Sequence, residues 1–283
     1  MSTVAPTPAG LPTVSAKINY AGEIHGPARF DHMDATRTNV AWDPVTVDIR
    51  DARPLRAELS LDREGFVLLD HDSVFTGAAH PRELADAYLA HTTELIRELT
   101  GARHVAPQST WWNVLIRSTA PAAGPGKVTP GPGRFVHLDY TADDAYLFAD
   151  EIRQASGGKI PADGRFVVYQ AWEVLSEPPQ DSLLALTDGR SVSLTGARPI
   201  EHVIGPSDVV GNVFASLLVD ADPGHRWYYF SDPTPDELLL FVGFDSADPG
   251  RTNVAHTAFD VPAAGRRQRP RTSIESRYFA FFD

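Results

Sequence analysis

The sequence predicts a mainly β protein, a sandwich or jelly roll with helices packed on it from the N-terminal half. Two observations carry this prediction. From Arg165 onward, short apolar runs at 165–175, 183–187, 209–219, 226–230, 237–244, 253–259 and 273–282 are separated by clusters of Pro, Gly, Asp and Ser. Strands of that length with turns at that spacing mark antiparallel sandwiches and jelly rolls of roughly eight strands. The N-terminal half, by contrast, holds two segments of helical periodicity, and neither a linker composition nor an internal repeat divides the chain.

Taken in order, residues 1–16 are rich in Ala, Pro and Thr without periodicity and read as a mobile tail, leaving 17–283 as a single domain. Residues 17–60 alternate short apolar stretches with Asp, Pro and Gly, as short strands and turns do. Asp62 to Asp70 is a turn entering a strand. From Pro81 to Leu99, the residues Leu84, Tyr88, Leu95 and Leu99 recur at close to helical spacing, with Pro at the start and Gly101 past the end. The Pro- and Gly-rich stretch 121–133 reads as a long loop, a candidate lid over the mouth of the fold. Arg134 to Tyr140 is an extended strand, and Ala142 to Ala155 is a second helix with Ala145, Phe148 and Ile152 on one face.

Composition narrows the function. The chain has 283 residues, 37 acidic against 25 basic side chains, a net charge of -12 and no cysteine. Disulfides, thiolate metal sites and cysteine nucleophiles are therefore excluded. An acidic balance argues against a nucleic-acid partner. The longest apolar run, Leu238 to Val242, is far short of the ~20 residues of a membrane span. The N-terminus has neither a basic nor an apolar signal region, so a cytoplasmic location is expected.

Two of the ten histidines are followed at i+2 by aspartate, His32 with Asp34 and His137 with Asp139. His32 lies in a polar, irregular stretch. On the predicted strand, Phe135, His137 and Asp139 share one face, so His137 and Asp139 point two ligand atoms at one place. A returning strand carrying His256 supplies a third ligand. His225, before the aromatic run Trp227 to Phe230, competes for that role but requires a different strand order. Two imidazoles and one carboxylate form a facial triad with up to three open positions, which suits Fe(II). Past His256, the densest basic run of the chain ends at Arg271-Thr272-Ser273. Arg271 and Ser273 share a face at the start of the last strand, a guanidinium fork and a hydroxyl suited to the distal carboxylate of 2-oxoglutarate. Arg267 and Arg277 are the rivals for the clamp. The remaining histidines take structural readings, and Trp111, Trp112, Tyr140, Trp172 and Trp227 read as core before pocket.

The segments His225 to Phe230, Thr234 to Phe241, Phe244-Asp245-Ser246, His256 to Phe259 and Pro270 to Arg277 resemble the hydroxylase/desaturase family. So do His137-Leu-Asp-Tyr-Thr141 and Leu99-Thr-Gly-Ala102. That family includes a component of the cephamycin 7α-methoxylase system, gibberellin-desaturase-like proteins and meroterpenoid-tailoring oxygenases. The resemblance covers roughly 45–283 and is densest over the last 60 residues. It implies a double-stranded β-helix with flanking helices, iron on His137, Asp139 and His256, and oxidation of a small secondary metabolite using Fe(II), 2-oxoglutarate and O2. With a carboxylate ligand at Asp139, hydroxylation or desaturation is expected, not halogenation. One departure stands out: the family's Trp-Arg-Pro-Leu is here Trp172-Glu173-Val174-Leu175. If that arginine holds an anion, Glu173 reverses the charge, which leaves room for an iron oxidase that does not use 2-oxoglutarate. A non-catalytic accessory subunit beside a partner biosynthetic enzyme is the reading from another class.

Overall fold

The structure, a computed structural model, describes residues 10–32, 34–75, 81–110, 113–121, 130–204, 213–250 and 254–283. Its strands in chain order are β1 (Thr13–Ile24), β2 (Ala28–Asp31), β3 (Val40–Asp51), β4 (Phe66–Asp70), β5 (His104–Pro107), β6 (Leu115–Ser118), β7 (His137–Leu138), β8 (Phe166–Val174), β9 (Ser182–Thr187), β10 (Arg198–Val203), β11 (Val213–Leu218), β12 (Trp227–Tyr229), β13 (Glu237–Asp245), β14 (His256–Asp260) and β15 (Thr272–Phe281). Two α-helices, α1 (Ala85–Thr100) and α2 (Ala142–Ala155), lie among them. The strands form a nine-stranded sheet, β1-β3-β12-β9-β14-β7-β11-β10-β2, and a second sheet, β4-β13-β8-β15-β5, in which β6 also pairs with β15. The expected jelly roll of two facing sheets is what the chain builds.

The register of β8 and β15 sets the layers. Ser273, Glu275 and Arg277 pair with Val174, Trp172 and Gln170, so these six share one face. Phe241, which pairs with Gln170 and so shares that face, lies 5.0 Å from the His256 ring of the larger sheet, which makes that face the interior. Ile274, Tyr278 and Ala280, one residue out of phase, pack with Tyr88 and Ile96 of α1 on the outside. A bulge in β13 between Val242 and Phe244 brings Gly243 close to the interior, where a Cβ would stand 2.9 Å from Gln170 Nε2. Only glycine fits there without moving Gln170.

Three sequence expectations need correction. Residues 13–16, assigned to the tail, begin β1, a 12-residue strand paired along β3. The short strands expected in 17–60 are largely this one long hairpin. Pro44 is tolerated in it because β12, on the other side of β3, pairs only with Ile49, Arg50 and Asp51. On α1 the buried residues are Tyr88, Thr92 and Ile96, while Leu99 is exposed. The helix therefore presents a stripe about one position off the leucine repeat, and Gly101 closes it in the left-handed conformation. α2 has the predicted ends, with Thr141 capping the Asp144 amide. Most of the 121–133 loop lies outside the described residues, as do Trp111 and Trp112.

Candidate metal centre

His137 on β7 and His256 at the start of β14 are direct cross-strand partners, with ring centroids 4.4 Å apart. Asp139 follows β7 at once. The ligand atoms of the three lie within 4.8 Å of one another, the one such group among the described residues. Each imidazole is aimed by its backbone. His137 Nδ1 lies 2.8 Å from the Phe135 carbonyl and His256 Nδ1 3.2 Å from the Val254 carbonyl, so Nδ1–H donates and each Nε2 keeps its lone pair. Both Nε2 atoms converge on Asp139 Oδ1, at 3.2 and 3.7 Å. Burial pushes His256 down to about 4, keeping it in the neutral form that ligates metals.

The second oxygen of Asp139 is taken. Arg277 grips Oδ2 with Nε at 2.8 Å and Nη2 at 2.5 Å, in an almost fully enclosed pair. Burial pushes the Asp139 carboxyl up, but Arg277 and the two histidines outweigh it and hold it well below the usual carboxylate range. Arg277 therefore positions a candidate metal ligand, and its guanidinium is engaged there rather than with a cosubstrate. Two nitrogens and one carboxylate oxygen converging without sulfur fit ferrous iron with positions left open.

Around this centre the inner face of β15 is strongly charged. Glu275 accepts from Arg117 Nε at 2.7 Å. Arg271, immediately before β15, is only 2% exposed, sits 5.6 Å over the Trp172 ring, and has no hydrogen-bond partner on Nε or Nη1. Burial pulls its pKa down to about 10, so it stays charged at neutral pH. A buried cation with two orphaned donors is costly unless an anion completes it. Ser273 lies two residues on, on the same face and equally buried. Of the rival arginines, Arg267 is exposed and Arg277 is committed to Asp139.

Glu173 is not at this centre. It pairs with Ile274 and Leu238 on the outer face, where Ser73 Oγ donates to it at 2.5 Å and His71 Nε2 stands 3.5 Å away. Its replacement of the family's arginine therefore leaves the interior charge unchanged and removes the motive for an oxidase reading. Burial pushes its carboxyl up to about 8, against the Ser73 hydrogen bond that lowers it. The proton is bound more tightly in the folded state than in the unfolded one. This stabilisation is therefore complete below the ordinary glutamate range and is lost as pH rises through about 8. Relative to Glu173→Gln, wild-type stability is expected to fall by roughly 1.4 kcal/mol per pH unit between about pH 5 and 8. Urea unfolding of both proteins across that range checks this, and parallel profiles would refute it.

His225 takes the structural role the sequence favours for it: its Nδ1 meets Tyr20 Oη at 2.9 Å, away from the cluster. Arg117 is not singled out by the sequence, although the alternation in Leu115-Ile-Arg-Ser118 signals its face. His32 was set aside for lack of a strand, yet it directly follows β2 and is hydrogen-bonded to His202.

The chain is similar to several known proteins. A family model described as an oxidoreductase/YMDC permease-like domain matches residues 18–281. The hydroxylase/desaturase efuI of Hormonema carpetanum is 30% identical over 293 residues, covering 96% of each protein. The Fe(II)/2-oxoglutarate-dependent dioxygenase nvfI of Aspergillus novofumigatus is 26% identical over 252 residues, 87% of this chain and 86% of that one. The fold superimposes on the iron and alpha-ketoglutarate-dependent endoperoxidase NvfI with a TM-score of 0.75 at 24% identity, over 95% of this chain and 98% of that one. Among the described residues no helix is long and apolar enough to cross a membrane.

Proposed function

The chain belongs to the hydroxylase/desaturase family that its domain match and the efuI similarity define, and from that premise we propose a Fe(II)/2-oxoglutarate-dependent oxygenase acting on an aliphatic C–H of a small secondary metabolite. The observation that carries the reading is the pairing of a converging His–Asp–His cluster with a buried guanidinium, two of whose nitrogens have no partner, on the same interior face. His137, Asp139 and His256 hold the iron. Arg271, with Ser273 beside it, takes the distal carboxylate of 2-oxoglutarate in a charge-assisted fork. When bound, iron and 2-oxoglutarate together supply the reduction of dioxygen, with release of succinate and carbon dioxide, and the removal of hydrogen from the substrate.

The protein's share is orientation. Arg277 fixes Asp139 so that one oxygen faces the metal. The backbone carbonyls of Phe135 and Val254 fix both imidazole tautomers, and Trp172 walls the Arg271 guanidinium from water. Fe(II) and 2-oxoglutarate are intracellular metabolites, which favours a cytoplasmic setting. The intact cluster weighs against an accessory subunit, whose scaffold role needs no converging ligands.

Anaerobic visible absorption tests the assignment. Fe(II) followed by 2-oxoglutarate is expected to raise a metal-to-ligand charge-transfer band in the wild type and none in His137→Ala. Iron binding without a band would remove 2-oxoglutarate from the proposal, and no iron binding would remove the enzyme.

A further inference from the structure

The interior face of the nine-stranded sheet continues past His137 into a wall with its own chemistry. Leu218 pairs with His137, Phe214 with His202, and His202 with Phe30, so these side chains run along one face from the metal centre to the β2 edge. The wall is aromatic. Phe135 lies 4.8 Å from His137, 4.7 Å from Trp42 in a stack and 5.3 Å from Phe30, and Phe214 stacks on His202 at 4.7 Å.

Within it runs one polar chain. Ser216 Oγ meets His202 Nε2 at 2.7 Å, and His202 Nδ1 meets His32 Nε2 at 3.1 Å. His202 is buried with both ring nitrogens engaged. His32 ends this chain of hydrogen bonds, its ring partly covered by Phe30 and His202 while the residue reaches solvent, and no hydrogen bond among the described residues uses its Nδ1. Burial pushes His202 down to about 3 and His32 down to about 4, so both are neutral at physiological pH. A neutral chain can run either way. Ser216 can donate to His202 and His202 to His32, leaving His32 Nδ1–H as a donor; the reverse order makes Nδ1 an acceptor. The end of the chain therefore accommodates a carbonyl or a hydroxyl, and the two imidazoles themselves offer no charge to an ion.

We propose that His32–His202–Ser216 is the polar anchor of the substrate. On the oxygenase reading, on which this rests, the substrate is an uncharged, largely apolar, ring-bearing molecule. Its hydroxyl or carbonyl meets His32 Nδ1, while the C–H to be oxidised lies beside His137, three strand spacings along the sheet, roughly 14 Å. His32 is the contact residue; His202 and Ser216 position it.

The test uses the full chain with zinc(II) as a diamagnetic stand-in and 2-oxoglutarate present. The probes are cyclohexanone, cyclohexanol, cyclohexanecarboxylate and cyclohexylammonium at millimolar concentration. Imidazole nitrogen NMR is the readout, with the His32 resonance assigned by its loss in His32→Phe. Cyclohexanone and cyclohexanol are expected to shift the His32 signal, and the two ions are not. His32→Phe, which keeps the ring contact with Phe30, is expected to weaken cyclohexanone binding roughly five- to tenfold. Ser216→Ala, acting through His202, is expected to weaken it about two- to threefold and to shift the His32 tautomer signal. A His32 signal that no probe moves, or that the ions move equally, overturns the anchor, as does unchanged cyclohexanone affinity in His32→Phe. The charge-transfer band is measured on the same preparations with iron. A band beside an unresponsive His32 sinks only the anchor, whereas a missing wild-type band sinks the oxygenase reading itself.

Discussion

Asp139→Ala is expected to cost both the metal and part of the fold. The substitution removes the ligand on which both imidazole Nε2 atoms converge, so iron retention is lost and turnover falls about a thousandfold or more. It also takes from the buried Arg277 the carboxylate it grips at 2.5 Å, leaving Glu275 as the other nearby negative charge. Breaking a buried ion pair from one side costs about 3–5 kcal/mol, a melting shift on the order of 10 °C. His256→Ala should lose iron as completely but leave no charge uncompensated, so it should melt well above Asp139→Ala. Anaerobic iron titration and thermal unfolding of both variants decide the matter. Wild-type iron affinity in Asp139→Ala would refute the ligand set, and equal melting of the two would refute the dependence of Arg277 on Asp139.

Arg271→Leu should move binding and stability in opposite directions. With two donors of the fork removed, 2-oxoglutarate affinity is expected to fall roughly a hundredfold. Arg271→Lys should recover only part of it, because an ammonium makes no fork. In the absence of ligand the wild type bears the desolvation of a guanidinium whose Nε and Nη1 have no partner. The leucine variant is therefore expected to be about 1–3 kcal/mol more stable. Urea midpoints without 2-oxoglutarate, set beside titrations of the charge-transfer band, read both effects. A variant that is less stable and binds 2-oxoglutarate normally would place the clamp elsewhere.

Most strands of the second half and α2 were legible because their signals are local: short apolar runs bounded by turn residues, and apolar residues recurring on one helical face. β10 was not legible. Its Arg198-Pro-Ile-Glu-His-Val203 carries a proline and two charges, and it becomes a strand only by pairing with β11 and β2. The α1 stripe was misread by one position because leucines dominate the pattern, while the sheet beneath selects Tyr88, Thr92 and Ile96.

At the centre, the proposed ligands His137 and Asp139 could be named from their i, i+2 spacing and His256 from a returning strand and the family resemblance, although the strand expected from Arg134 to Tyr140 is only the two residues of β7, with Asp139 just past it. The role of Arg277 could not, since Arg267, Arg271 and Arg277 differ only in what they meet across the fold. Glu173 shows the same limit from the other side. A charge reversal next to Trp172 looked like a change of pocket until the pleat placed it under α1, against Ser73 and His71.

Strand β15 sits inside its sheet, held by β8 on one side and by β5 and β6 on the other. Every second residue from Arg271 to Arg277 faces inward, and the intervening Thr272, Ile274 and Ser276 face out. A slip of one position would expel both arginines, Ser273 and Glu275 together and bring an isoleucine in their place. Damage to this strand is therefore all or none per molecule. A heat-stressed or poorly folded batch should bind fewer equivalents of iron at unaltered affinity, and iron stoichiometry would count the correctly threaded chains.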